Sequence, residues 1–209
     1  MTAGDPHRTI EAIFRIERAR LIAGLVRVTR SVDLAEELAQ DALVSALAEW
    51  PRAGVPGNPG AWLMAVAKRR AIDALRREKM RARKHEEIGG ALEEATDDPA
   101  ETIEAAMDDD LGDELLGLIF TACHPILSRE ARAALTLKVV GGLTTDEIAR
   151  AFLSSEATIA QRIVRAKKTI AKAELGFETP RGGERAARVP SVLEVVYLIF
   201  NEGYAATAG

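Results

Sequence analysis

Apolar residues recur at three- and four-residue spacing along most of this chain, and no long stretch alternates apolar with polar residues. A 3.6-residue period buries one face of a helix, whereas a half-buried strand needs a period of two. The chain is therefore expected to be all-α. Aromatic residues make up only 4% of the sequence, which leaves Ala and the aliphatic residues to fill the core and suits close helix packing. From Thr9 to Arg30, the residues Ile10, Ile13, Phe14, Ile16, Leu21, Leu25 and Val28 give a broad buried face. Asp33 followed by Glu36 predicts a capping box for a second helix, which should run to about Trp50 and stop at Pro51. Pro51 to Pro59 reads as a loop, and a third helix is expected from about Gly60 to near Arg83.

The second half repeats this pattern. Helices are expected at about Asp113–Thr121, Ser128–Val140, Thr145–Phe152 and Ser155–Lys172. Gly141-Gly142 should close the second of these, and Thr144 with Glu147 forms another capping-box pattern. The expected organisation is two small helical domains, 8–84 and 111–176, joined by an acidic linker at 85–110. A second linker at 177–190 precedes a strongly apolar helix at 191–209. Val192, Leu193, Val195, Val196, Leu198, Ile199 and Phe200 cannot all hide on one face of a lone helix, so this segment needs a partner surface.

The net charge of −4 conceals two basic segments around an acidic one. Lys68 to Lys84 holds nine Lys or Arg against two acids, Glu86 to Glu114 holds thirteen acids and no Lys or Arg, and Glu156 to Lys172 holds five Lys or Arg against one acid. Basic clusters on helices are the electrostatic footprint of a nucleic-acid binder, although a single cluster is equally well a solvated helix face.

Leu143 to Thr169 reads as two short helices joined by a tight turn, the second with an exposed basic row, which is the pattern of a DNA-reading helix-turn-helix. Helical spacing turns Ile148, Ala149 and Phe152 inward on the first helix and Ile159, Ile163, Ala166 and Ile170 inward on the second. The outward row is then Thr158, Gln161, Arg162, Arg165 and Lys168. Thr158, Gln161 and Arg162, in the first turns, are placed for base edges, and Arg165, Lys168 and Lys172 for phosphates. An ordinary helical hairpin with a charged face is the alternative.

Thr145-Asp-Glu-Ile-Ala-Arg-Ala followed by Glu156-Ala-Thr-Ile-Ala-Gln-Arg-Ile-Val-Arg-Ala-Lys resembles region 4 of bacterial sigma-70-family factors of the extracytoplasmic-function type. The family's usual turn Gly is replaced by Leu153, and its usual Gly, Lys and Ser by Ala157, Ala160 and Gln161. Asp33 to Trp50 is similar to the region 2 helix that grips the clamp helices of the RNA polymerase β′ subunit, which implies a polymerase-binding surface at Glu37, Gln40 and Asp41. Gly60 to Arg77 resembles the segment that melts and reads the promoter −10 element. Melted strands need cations along the backbone and a stacking or pocket surface for an extruded base. Lys68, Arg69, Arg70, Arg76 and Arg77 would supply the cations, the 51–59 loop a pocket rim, and Trp62 either a stacking surface or, as its helical spacing favours, core. The segment Val192 to Ala206 resembles the opening of a helical C-terminal extension carried by one branch of these factors.

The resemblance implies an alternative sigma factor that binds core RNA polymerase through the β′ clamp helices and β flap and directs promoter recognition and opening. The thirteen acids between two basic segments, together with the orphan apolar helix, lead to the expectation of self-inhibition through the linker or the C-terminal extension, with an anti-sigma factor as the other candidate regulator. The competing readings are a helix-turn-helix regulator that binds DNA without joining polymerase, and a helical adaptor that binds protein. No catalytic constellation, metal site or cofactor is expected. Cys123 is the only Cys, His7 and His85 lie far from Cys123-His124, and zinc needs several converging ligands. No Gly-rich pair is followed by the Lys-Ser/Thr of a phosphate loop. With no signal-peptide pattern, no spanning segment and no disulfide framework, a cytoplasmic protein is expected.

Overall fold

The computed structural model describes residues 6–89 and 111–207, and every regular element among them is an α-helix. The elements are α1 (Pro6–Thr29), α2 (Val32–Ala53), α3 (Pro59–Gly89), α4 (Leu111–Ala122), α5 (Arg129–Val139), α6 (Thr145–Ala151), α7 (Glu156–Lys172) and α8 (Gly182–Thr207). Helices α1, α2 and α3 pack as a three-helix bundle, and α4 to α7 form a second group in which α7 lies across α5 and α6.

Helix α1 organises the first bundle and reaches beyond it. Its residues Leu21 to Val26 are buried without interruption, because α2 and α3 cover one side while α4 packs on another. One apolar cluster therefore runs from Ile10 and Leu63 in the first group to Leu118, Ile148 and Ile170 in the second. Ile16, expected in the core, is instead 72% exposed.

Helix α2 begins two residues earlier than the capping-box pattern suggests. Ser31 is the N-cap and its side chain accepts from the Leu34 backbone N–H. Asp33 and Glu36 are released from capping and make long-range ion pairs instead. Pro51 does not stop the helix, which runs on to Ala53. A proline lacks the N–H that would bond back to the turn before it, and the helix nevertheless continues past it. The end is set by Gly54, at φ +85°, whose N–H bonds the Trp50 carbonyl. The loop shortens to 54–58, where the Asn58 carboxamide caps α3 through the Ala61 N–H at 3.0 Å. Trp50 is buried and meets the half-buried Trp62 edge-on, with centroids 5.2 Å apart, so Trp62 belongs to the core. Helix α3 continues past Arg83 to Gly89, and the rest of the acidic segment, 90–110, lies outside the described residues.

The second group follows its pattern closely. Ser128 caps α5 through the Ala131 N–H, and Thr144 with Glu147 closes a complete capping box on α6. Ile159, Ile163, Ala166 and Ile170 are all buried. Leu153 occupies the turn between α6 and α7 at φ +47°, with its side chain 97% exposed.

The last helix departs most from expectation. The segment 177–190 is not a linker throughout: α8 starts at Gly182 and carries Pro190 inside it. The helix is held in place by contacts to the second group. Arg188 donates to the Phe120 carbonyl at 2.9 Å, Ser191 donates to the Cys123 carbonyl, Arg132 bonds Ser191, and Glu194 pairs with Arg129 and Arg132 at 3.2 and 3.0 Å. Val195 is fully buried against Cys123 and Ala133. The partner surface that the apolar tail requires is thus, on one side, the helix-turn-helix group. Leu193, Val196, Tyr197 and Phe200 remain exposed on the other side.

Helix α4 and the irregular passage 175–181 approach closely at Gly117 and Phe177. A Cβ on Gly117 would stand 2.1 Å from the Phe177 carbonyl oxygen. Gly117→Ala should therefore lower stability by about 1–3 kcal/mol through overpacking, read as a reduced urea midpoint at unchanged slope.

Candidate nucleic-acid and polymerase interface

The sequence of α7 divides it into a buried face and an exposed row, and the fold keeps them apart. Thr158, Gln161, Arg165 and Lys168 are exposed and Arg162 is half-exposed, while the opposite face is core. The Ser155 hydroxyl caps the helix through the Thr158 N–H at 3.2 Å and also bonds the Thr158 hydroxyl at 2.8 Å. Thr158, Gln161, Arg162 and Arg165 form one wall of a groove of about 320 Å³ whose other wall is Ile126, Ser128 and Ala131 around the start of α5. The first turns of α7 and the N-terminus of α5 thus open on the same side. Arg162 also lies near Glu130 and contributes to holding that carboxyl below its usual range, after the hydrogen bonds from its own backbone N–H and from Ser128. With α8 docked, the row stays exposed.

The cations on α3 split into two groups. Arg69 and Arg76 lie seven residues apart on one stripe and are exposed, as is Arg77, whose Nε donates to the Asp73 carbonyl at 3.1 Å. Arg70 turns to α2 instead, where it pairs with Asp41 at 2.6 Å and donates to the Ser45 hydroxyl at 2.8 Å. Lys68 is half-buried.

On α2, Glu37 and Gln40 are exposed and Asp41 is half-exposed. They share a stripe with Val44, an apolar residue 56% exposed, which helical spacing could have revealed and the charge pattern hid. Asp41 and Arg70, expected in two different sites, are therefore bound to each other across the α2–α3 contact.

A larger cavity, about 570 Å³, lies at the far end of α1, between Arg27, Glu114, Phe177, Arg181 and Arg188. Its lining mixes both signs of charge. Among the described residues no group of three or more His, Cys, Asp or Glu is arranged to hold a metal ion. Cys123 is buried, with its sulfur 3.4 Å from the Thr136 hydroxyl. Burial pushes its thiol above the ordinary value, and the Thr136 hydrogen bond and the charge of Arg132 offset this only in part.

Two stretches of this architecture match described families. Residues 13–81 match sigma-70 region 2, and residues 118–170 match sigma-70 region 4. The chain belongs to the sigma-70 family. Its relatives place it in the extracytoplasmic-function type. The ECF RNA polymerase sigma factor SigK of Mycobacterium sp. strain KMS is 29% identical over 73% of this chain and 76% of its own length. The protein of the same name from Mycobacterium bovis strain BCG / Pasteur 1173P2 is 26% identical over 77% of this chain and 83% of its own. An uncharacterized protein of Rhizobium meliloti strain 1021 is 41% identical over 92% of this chain, which spans only 45% of that relative. In this chain, the region 2 match falls on α1 to α3 and the region 4 match runs from the end of α4 to α7. Among the described residues, no helix is long and apolar enough to cross a membrane.

Two outcomes check this geometry. Arg70→Ala should cost stability by about 0–1 kcal/mol, the range for a partly exposed pair, while Arg69→Ala should leave the unfolding midpoint unchanged and weaken binding to single-stranded DNA. Cys123 should resist a thiol reagent at neutral pH in the native protein and react at once in denaturant, since only the thiolate attacks.

Proposed function

We propose that this chain acts as an alternative sigma factor that binds core RNA polymerase and directs it to promoter DNA. In this reading the stripe Glu37, Gln40 and Asp41 on α2, with Val44 at its end, meets the β′ clamp helices, and region 4 meets the β flap. Thr158, Gln161 and Arg162 read base edges of the −35 element in the major groove, and Arg165 and Lys168 hold phosphates. Lys68, Arg69, Arg70, Arg76 and Arg77 serve the −10 element, with Arg70 acting from its place beside Asp41. The sigma factor supplies binding and placement, and the polymerase supplies the chemistry.

The observation that supports this reading most is the exposed row on α7, set directly opposite a fully buried face and behind two capped helix starts. A helix about 10–12 Å across with its first turns uncovered fits a major groove about 12 Å wide. An anti-sigma factor remains a natural regulator for such a chain, since both binding surfaces are exposed protein faces.

The test is co-migration with core polymerase. A one-to-one complex on gel filtration is expected, weakened by joint replacement of Glu37, Gln40 and Asp41 with Ala. Specific promoter binding by the chain alone, with no polymerase complex, would replace this reading with that of an independent regulator. On DNA, Arg162→Ala should cost about 1–3 kcal/mol on the cognate promoter only, and Arg165→Ala should weaken all sequences alike and reduce the salt slope by about one.

A further inference from the structure

The cavity of about 570 Å³ at the far end of α1 has no part in polymerase or promoter binding as read above. Its size lies within the range of about 300–1,000 Å³ that holds small molecules. Its walls come from the end of α1, the start of α4, the passage 174–181 and the first turns of α8. These walls are tied together. The Thr121 hydroxyl donates to the Gly176 carbonyl at 2.9 Å, and the Thr179 hydroxyl donates to the Asp113 carbonyl at 2.9 Å. The Phe177 carbonyl lies so close to Gly117 that no side chain fits between them. A site formed in advance spares a ligand the cost of ordering it.

The charges on the lining divide into those already paired and those left over. Arg27 pairs with Glu114 at 3.2 Å, Arg188 with Glu184 at 3.1 Å, and Glu178 with Arg30 at 3.0 Å. The carboxylates of Asp113 and Glu174 and the guanidinium of Arg181 also line the cavity, and they make no ion pair among the described residues. Glu174 stands at φ +49°, directly after the C-cap of α7, where glycine is the easier residue. A carboxylate is thus held at the rim against a backbone preference. His124 adds a donor. Its Nδ1 accepts from the Ile126 backbone N–H at 3.2 Å, which puts its proton on Nε2. Burial, helped by the charge of Arg188 and opposed by Glu184, keeps the imidazole below its ordinary range and so neutral at pH 7. Leu175, Phe177 and Pro180 give the cavity an apolar part.

We propose that this cavity binds a free amino acid with a basic side chain. The leftover charges, two carboxylates and one guanidinium, are the complement of its two cations and one carboxylate. The ligand's ammonium and side-chain cation meet Asp113 and Glu174, and its carboxylate takes the Arg181 fork and the His124 Nε2–H. Its methylene stem lies on the apolar part, as such stems do on protein surfaces. A diamine would leave Arg181 unanswered, a neutral zwitterion would leave one carboxylate unanswered, and an acidic amino acid would set a second anion against Asp113 and Glu174. The three leftover groups are exposed, so each pair contributes up to about fivefold in affinity and a Kd of about 0.1–1 mM is expected. Binding to the native fold alone also raises the unfolding temperature. The proposal does not depend on polymerase binding, so its failure would leave the promoter reading untouched.

The test is calorimetric titration of the full chain with L-arginine, with its decarboxylated form agmatine, and with L-glutamate. One saturable site for L-arginine is expected, with agmatine about threefold or more weaker and L-glutamate not bound. Absence of saturable L-arginine binding overturns the proposal. Equal affinity for L-arginine and agmatine overturns the amino-acid assignment, because a cation alone, such as a partner protein's side chain presents, would then suffice. Glu174→Gln should weaken both cationic probes about threefold or more, and Arg181→Ala should abolish the difference between them. Both residues are exposed, and an unchanged ligand-free unfolding temperature verifies that the variants fold. If neither variant changes binding, the cavity is not the site. The imidazole resonances of His124 give an independent readout. They should shift on saturation with L-arginine, and resonances that stay still while heat is released overturn the placement.

Discussion

The burial of α1 on two sides is the constraint on which the rest of the molecule depends. A helix of a small bundle ordinarily keeps a solvent face. Leu21, Ile22, Ala23, Leu25 and Val26 leave none for that stretch, because α2 and α3 take one side and α4 another. Region 4 is therefore set against region 2 by apolar contact near the end of α1, and by the Arg18–Glu36–Lys167 cluster at α1's middle and the start of α2. The apolar seam is non-directional and brings the regions together. The ion pairs have fixed partners and set which face of α7 turns inward. With Lys167 held on α2, the row from Thr158 to Lys168 must face out.

Features governed by local rules were legible in the sequence. The helices from 111 to 172 lie within a few residues of their expected bounds, since α5, α6 and α7 each start on a cap and the interiors keep a strict apolar period. The buried face of α7 and its exposed row followed from spacing alone. Where a local rule competed with context, it lost. Pro51 and Pro190 both sit inside helices, the first close to the end of α2 and the second where α8 docks on region 4. Asp33 and Glu36 had the spacing of a capping box, but Ser31 supplies the cap and frees both carboxylates for Lys167.

Pairings between distant residues were not legible. Lys167 and Glu36 are separated by 131 positions, and nothing near either one marks the other. Arg70 and Asp41 were each read as facing a separate partner, and the fold pairs them with each other. Charge composition identifies basic and acidic surfaces, but it does not say which charges neutralise each other internally. Val44 shows the converse, an exposed apolar residue at the end of the stripe that the carboxylates had already drawn attention to.

The central claim is that this chain directs core polymerase to promoters by using both regions at once. Run-off transcription with purified core polymerase on a panel of promoter fragments tests it most directly. The account predicts transcripts of defined length that require the chain, and their loss when either the −10 or the −35 element is scrambled. Transcription that depends on the chain but is indifferent to one of the two elements, or none at all despite a stable polymerase complex, would contradict it.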